Sequence, residues 1–162
     1  MNLRVVFNLL LAICFSVGKG NSQQRDFNKS VFYNVLASES ITEIDTQLRI
    51  LKESFIAEKE AYEGALLMKK AGLLVKPKDK IIFFKSGRLK LESSISKNND
   101  NIEYRFLRLI IQEHAPNVVK YRNEIKEDSN LIRTHFKNLP PLLQQLINEY
   151  SEKSIALKIA QP

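Results

Sequence analysis

Tryptophan is absent from the 162 residues, cysteine occurs once, histidine twice, and glycine and proline five times each. A single cysteine excludes both a disulfide framework and a cysteine-rich zinc module. So few glycines and prolines exclude collagen-like and low-complexity chains. His114 and His135 have no His-Glu-x-x-His spacing, no Gly-x-Ser-x-Gly elbow occurs, and no glycine-rich loop could cradle a phosphate. Lys85-Ser86-Gly87-Arg88 lacks the leading glycine of a phosphate loop. Past residue 22 there is neither sustained apolar–polar alternation nor a hairpin dipeptide, so no sheet is expected. These absences argue against an enzyme and point to no cofactor or metal.

What is present begins with an export segment. Arg4 gives positive charge, and Val5 to Val17 is apolar apart from Asn8 and Ser16. That run falls short of the roughly 20 residues a membrane span needs and has the make-up of a secretory signal. Gly20 and Ser22 meet the small-x-small rule for cleavage before Gln23, and cleavage after Gly18 or Gly20 also fits. Residues 1–22 are therefore read as a cleaved signal peptide and residues 23–162 as one domain, exported to the periplasm or beyond. Acylation of Cys14 is the rival reading, but Ile13 stands where a lipoprotein signal has a small residue. Cleavage leaves no thiol, which suits an oxidising compartment.

The remaining chain reads as helix after helix. Phe27, Val31, Val35 and Leu36 are spaced for a short helix over 27–37. Ser40-Ile41-Thr42-Glu43 is a capping box opening a helix over 40–54. Over 57–75, Ala57, Ala61, Gly64, Ala65, Met68, Ala71 and Gly72 recur at three- and four-residue spacing. Glycine inside a helix costs up to about 1 kcal/mol against alanine, so close approach of a neighbouring helix is expected at Gly64 and Gly72. Residues 78–96 carry Ile81, Phe84, Leu91 and Ile95 on one stripe, with Gly87 as another point of close packing. Asn98-Asn99-Asp100-Asn101 seats the next start, where Asp100 and Glu103 suit a second capping box. The helix through 114 is apolar over most of its circumference, which places it in the middle of the structure. Helices over 121–136 and 139–157 follow, the last with Leu142, Leu143, Leu146, Ile147 and Tyr150 inward.

Short links pair 40–54 with 57–75, 78–96 with 101–114, and 121–136 with 139–157, each pair about as long as a helix–turn–helix repeat. Tyr62-Glu63-Gly64-Ala65-Leu66-Leu67 resembles the small-residue packing positions of tetratricopeptide-type repeats, although the full consensus is absent. Glu60 to Ala65 and Glu103 to Glu113 are similar to exported helical-repeat proteins of the Bacteroidota, a family with no settled activity to carry over. The expected fold is all-α: antiparallel helix pairs stacked as a short tetratricopeptide-like α-solenoid.

Two polar constellations stand out. Residues 69–97 hold nine basic side chains against Asp79 and Glu92, whereas 37–63 hold seven acids against three bases. The basic residues scatter around the helix without a stacking module, which argues against nucleic acid. An acidic partner, an anionic membrane surface reached peripherally, or plain solvation all fit. In the second, Arg105, Arg108 and Gln112 share a stripe on the most apolar helix, and Asp128 and His135 share a side of the next. A charge on an inward face must be paired. These five residues either form a polar pocket for a small anion or a hydrolytic reaction, or the arginines pair with Asp128 to fix the packing. The leading expectation is an interaction module that binds a peptide or protein partner in the groove stacked helices present. Nothing in the pattern specifies an oligomeric state.

Overall fold

A computed structural model describes residues 26–159; the export signal read at 1–22, Cys14 included, lies outside the described residues. Those residues form seven α-helices, two 3-10 turns and no strand. The helices are α1 (Lys29–Ala37), α2 (Ile41–Glu53), α3 (Lys59–Leu73), α4 (Pro77–Lys97), α5 (Ile102–His114), α6 (Ile125–His135) and α7 (Pro141–Lys153). Their starts are where local chemistry places them. Asn28, Ser40 and Asn101 each accept a hydrogen bond from the backbone N–H three residues on, at 3.1, 3.2 and 3.2 Å. Pro77 and Pro141 occupy first-turn positions that have no intrahelical N–H bond to lose.

Helices α3 and α4 run antiparallel, as do α5 and α6. Lys70 reaches Asp45 across α2 and α3. Lys90 reaches Glu60 and Glu63 across α3 and α4, each at 2.9 Å. Gln112 meets Glu124 while Arg108 meets Asp128 across α5 and α6. The closest union is α3 with α4, at the two glycines. A Cβ on Gly64 would stand 2.7 Å from the Gly87 carbonyl oxygen, and one on Gly87 would stand 2.5 Å from that of Gly64. Both obstacles are backbone, so neither position admits a side chain. The core runs from Phe32, Ile44 and Leu51 through Tyr62, Leu66 and Leu91 to Leu107, Ile132 and Ile147. Helix α5 lies at its centre, buried on every side from Ile102 to Leu109.

Several expectations are corrected. The extensive interfaces fall one helix later than linker length suggested: α3 lies along α4 and α5 along α6, while α6 and α7 share little contact. The link between α3 and α4 spans only 74–76 and that between α5 and α6 spans 115–124, yet both pairs pack extensively, so linker length does not choose the partner; the glycine approach and the Arg–Asp pairing do. Gly72 faces open space, with nothing within 4 Å of the point where a Cβ would stand. It sits in the last turn of α3, beyond the reach of the opposing backbone. On α1 the inward residues are Phe32, Tyr33, Val35 and Leu36, and Val31 is exposed. Ile81 and Leu142 also face outward, each in the first half of its helix, away from the buried stretch. Asn101, not Asp100, caps α5, which frees Glu103 for another role. At α2 the box is half made: the Ser40 N–H donates to the Ser38 hydroxyl and not to Glu43.

Candidate functional site

Arg105, Arg108 and Gln112 lie on the side of α5 that meets α6, because spacings of three and seven residues return to one helix face. Asp128, wholly buried in α6, stands opposite. Its carboxylate accepts two parallel hydrogen bonds from Arg108, Nε to Oδ2 at 2.7 Å and Nη2 to Oδ1 at 2.8 Å. Arg105 Nη1 adds a third to Oδ1 at 3.3 Å. The remaining edge of Arg108 donates to Glu92 of α4 at 2.9 Å, and the Tyr121 hydroxyl donates to the other oxygen of Glu92. The same Nη1 of Arg105 also donates to Glu127, and Arg105 turns its Nε and Nη2 to the backbone carbonyl and side chain of Asn99. The two guanidinium charges are thus matched by Asp128 and Glu92.

Burial opposes the charge on Arg108, but hydrogen bonds and charge from Asp128 and then Glu92 outweigh it and raise its pKa. Burial first, and Glu92 second, push the Tyr121 phenol well above its ordinary range, so it stays a donor. The arrangement is a bidentate charge-assisted clasp joining α4, α5 and α6. No edge of Arg108 or Asp128 is left for a substrate. Gln112 is buried beside it and donates to Glu124, while its Oε1 has no partner among the described residues.

His135 does not join the cluster. It is exposed, and its Nδ1 lies 2.9 Å from the Leu131 carbonyl of its own helix. The antiparallel register explains this. With Gln112 against Glu124 and Arg105 against Asp128, position 135 lies past the start of α5 and has nothing there to face. Of the five residues singled out, four are brought together and His135 is not. Among the described residues no group of three or more His, Cys, Asp or Glu side chains is placed to hold a metal.

Glu103 is the buried carboxylate that sequence reasoning missed. It accepts from the Tyr33 and Tyr62 hydroxyls at 3.1 and 2.8 Å and from Lys29 at 2.8 Å, tying α5 to α1 and α3. Burial, then the Glu103 charge, raises both phenols and keeps them protonated. The available signal was two tyrosines flanked by core residues, each needing an acceptor. Glu113, at the other end of α5, accepts from Tyr150, Ser154 and the backbone N–H groups of Ile155 and Ala156. Burial pushes its pKa up, but these donors together hold it below the ordinary range.

The remaining feature is a groove of about 440 Å³. Apart from Glu39 and the segment after α7, its lining comes from odd-numbered helices alone: Leu36 of α1, Lys69 of α3, Phe106 and Ile110 of α5, and Leu146 and Tyr150 of α7. A second hollow of about 590 Å³ draws on α1, α2 and the residues before α1. No protein-family model, no curated protein and no solved structure matches the chain.

Proposed function

We propose that the protein is an exported interaction module that seats a peptide or protein segment in the groove of the odd-numbered helices. Binding is by surface complementarity, with no covalent chemistry. The observation that carries this reading is the contrast between a saturated charge cluster and an unfilled groove. Arg105, Arg108 and Asp128 are matched inside the fold, whereas Phe106, Ile110, Leu146 and Tyr150 line a hollow of the size that holds ligands. Lys69, Lys153 and Glu149 stand at its edge and supply polar contacts. Stacking as a short tetratricopeptide-like solenoid belongs to the same proposal. Besides its chain neighbours, α3 touches both α1 and α5, as the inner layer of such an array requires. The compartment follows from residues 1–22.

Site-specific photo-crosslinking tests the reading. A benzoylphenylalanine in place of Glu149 or His114, in the groove, is expected to give a protein adduct in envelope extracts. The same probe at Arg49 of α2 is expected to give none. Adducts at Arg49 alone, or no adduct with a small molecule retained in native mass spectrometry, would overturn it.

A further inference from the structure

Helix α4 is the longest of the described helices, at 21 residues. Gly87, Leu91, Ser94 and Ile95 face the core. The opposite side carries Lys78, Ile82, Lys85 and Leu89 at four-, three- and four-residue steps, one continuous stripe along the helix. Ile82 is 53 % exposed and Leu89 72 %, with Ile81 beside them at 55 %. Val75, in the turn that leads into the helix, is 89 % exposed. Ile81, Ile82 and Leu89 thus put three large aliphatic side chains in solvent on one helix, whereas Val31, Phe55, Val118 and Ile155 are exposed one by one elsewhere.

The charge around them is predominantly basic. Lys76, Lys78, Lys85 and Lys97 form no ion pair among the described residues, and Arg88 lies over the Tyr121 ring at 4.7 Å. Of the two acids on α4, Glu92 is engaged by Arg108 and Tyr121, which leaves Asp79 alone against these cations. Lysines beside exposed aliphatic side chains suit a lipid interface because their stems lie along apolar surface: the ammonium groups meet headgroups while the aliphatic tips enter the acyl boundary. An acidic protein surface would satisfy the lysines but would leave Ile82 and Leu89 without apolar cover unless it were patterned to match.

We infer that the outward face of α4 docks the protein on a membrane bearing anionic headgroups. The contact is peripheral, since among the described residues no helix is long and apolar enough to cross a bilayer. It uses none of the groove residues. The groove of α1, α3, α5 and α7 stays open to a partner while the protein sits on the membrane.

The test places an environment-sensitive fluorophore at Ser86→Cys, beside the stripe, in a full chain carrying Cys14→Ser. A second probe at Glu149→Cys on α7 is the control. With vesicles of phosphatidylcholine containing phosphatidylglycerol, the Ser86 probe is expected to brighten and shift to the blue. The Glu149 probe stays unchanged, and pure phosphatidylcholine gives no response. Reading the same probe, Lys78→Gln and Lys85→Gln should each weaken partitioning about fivefold. Ile82→Ser with Leu89→Ser should weaken it about tenfold or more, with the helical circular-dichroism signal retained. No response at Ser86, an equal response to uncharged vesicles, or a response to polyglutamate but not to vesicles would overturn the inference.

Discussion

Two helix unions in this protein solve the same problem with opposite chemistry. Where α3 meets α4, the contact is made by what is missing: Gly64 and Gly87 have no side chain, and each backbone stands in the other's Cβ position. Where α5 meets α6, it is made by what is added: Arg108 and Arg105 close on the fully buried Asp128. The first union can tolerate no extra atom. The second can tolerate no lost charge. Steric closeness and a balanced charge cluster therefore locate the helices along the bundle, and apolar burial supplies the bulk of the stability around them.

The largest effect is expected on the ionic side. Asp128→Ala leaves two guanidinium groups buried without their shared carboxylate, and should destabilise the fold by about 3–5 kcal/mol in urea unfolding. Next comes the glycine side. Gly87→Ala puts a methyl group against the Gly64 carbonyl and Met68, and should cost about 1–3 kcal/mol, well beyond any helix-propensity gain. Gly72→Ala sharpens the comparison, since the same substitution fifteen positions earlier meets only solvent. It should raise stability by up to about 1 kcal/mol, read as a higher melting temperature.

A pH effect spans both regions. All five tyrosines, Tyr33, Tyr62, Tyr104, Tyr121 and Tyr150, have phenols raised above 10.0, by burial first and by nearby carboxylates second. A phenol raised in the folded state contributes stability that is complete below its unfolded value and is lost as pH climbs beyond it. Tyr33, Tyr62, Tyr121 and Tyr150 should therefore contribute no tyrosinate absorbance at pH 10 in the folded protein and should ionise together with unfolding at higher pH. A gradual titration of several tyrosines before unfolding would contradict these assignments.

The helices were legible because their boundaries are chemical and local. Ser40, Pro77 and Pro141 announce starts, and three- and four-residue spacing announces the helix between. The close contact at Gly64 and Gly87 was legible too, since a mid-helix glycine calls for a reason. Gly72 shows the limit of that argument: near a helix end the reason can be absent. Partner choice was not legible, because the length of a link does not say which neighbour a helix lies along. His135 failed for a related reason. Seven residues return it to the face of Asp128, but whether α5 extends that far depends on an antiparallel register that no local pattern encodes. Glu103 was hidden by a sufficient local explanation: its position in the first turn suits a capping box, and only the meeting of α1 and α3 makes it a buried acceptor.

A double-mutant cycle on Arg108→Met and Asp128→Leu, read by urea unfolding, tests most directly whether the charge cluster exists to hold the helices. Each single change should destabilise strongly, while the double change, which removes the two charges of this pair, substitutes apolar volume and leaves Arg105 to Glu127 and Asn99, should cost at least about 2 kcal/mol less than the sum of the singles. If either single variant were as stable as the parent protein or more so, as happens when a binding site held under strain is relieved, the clasp between α5 and α6 would not be structural.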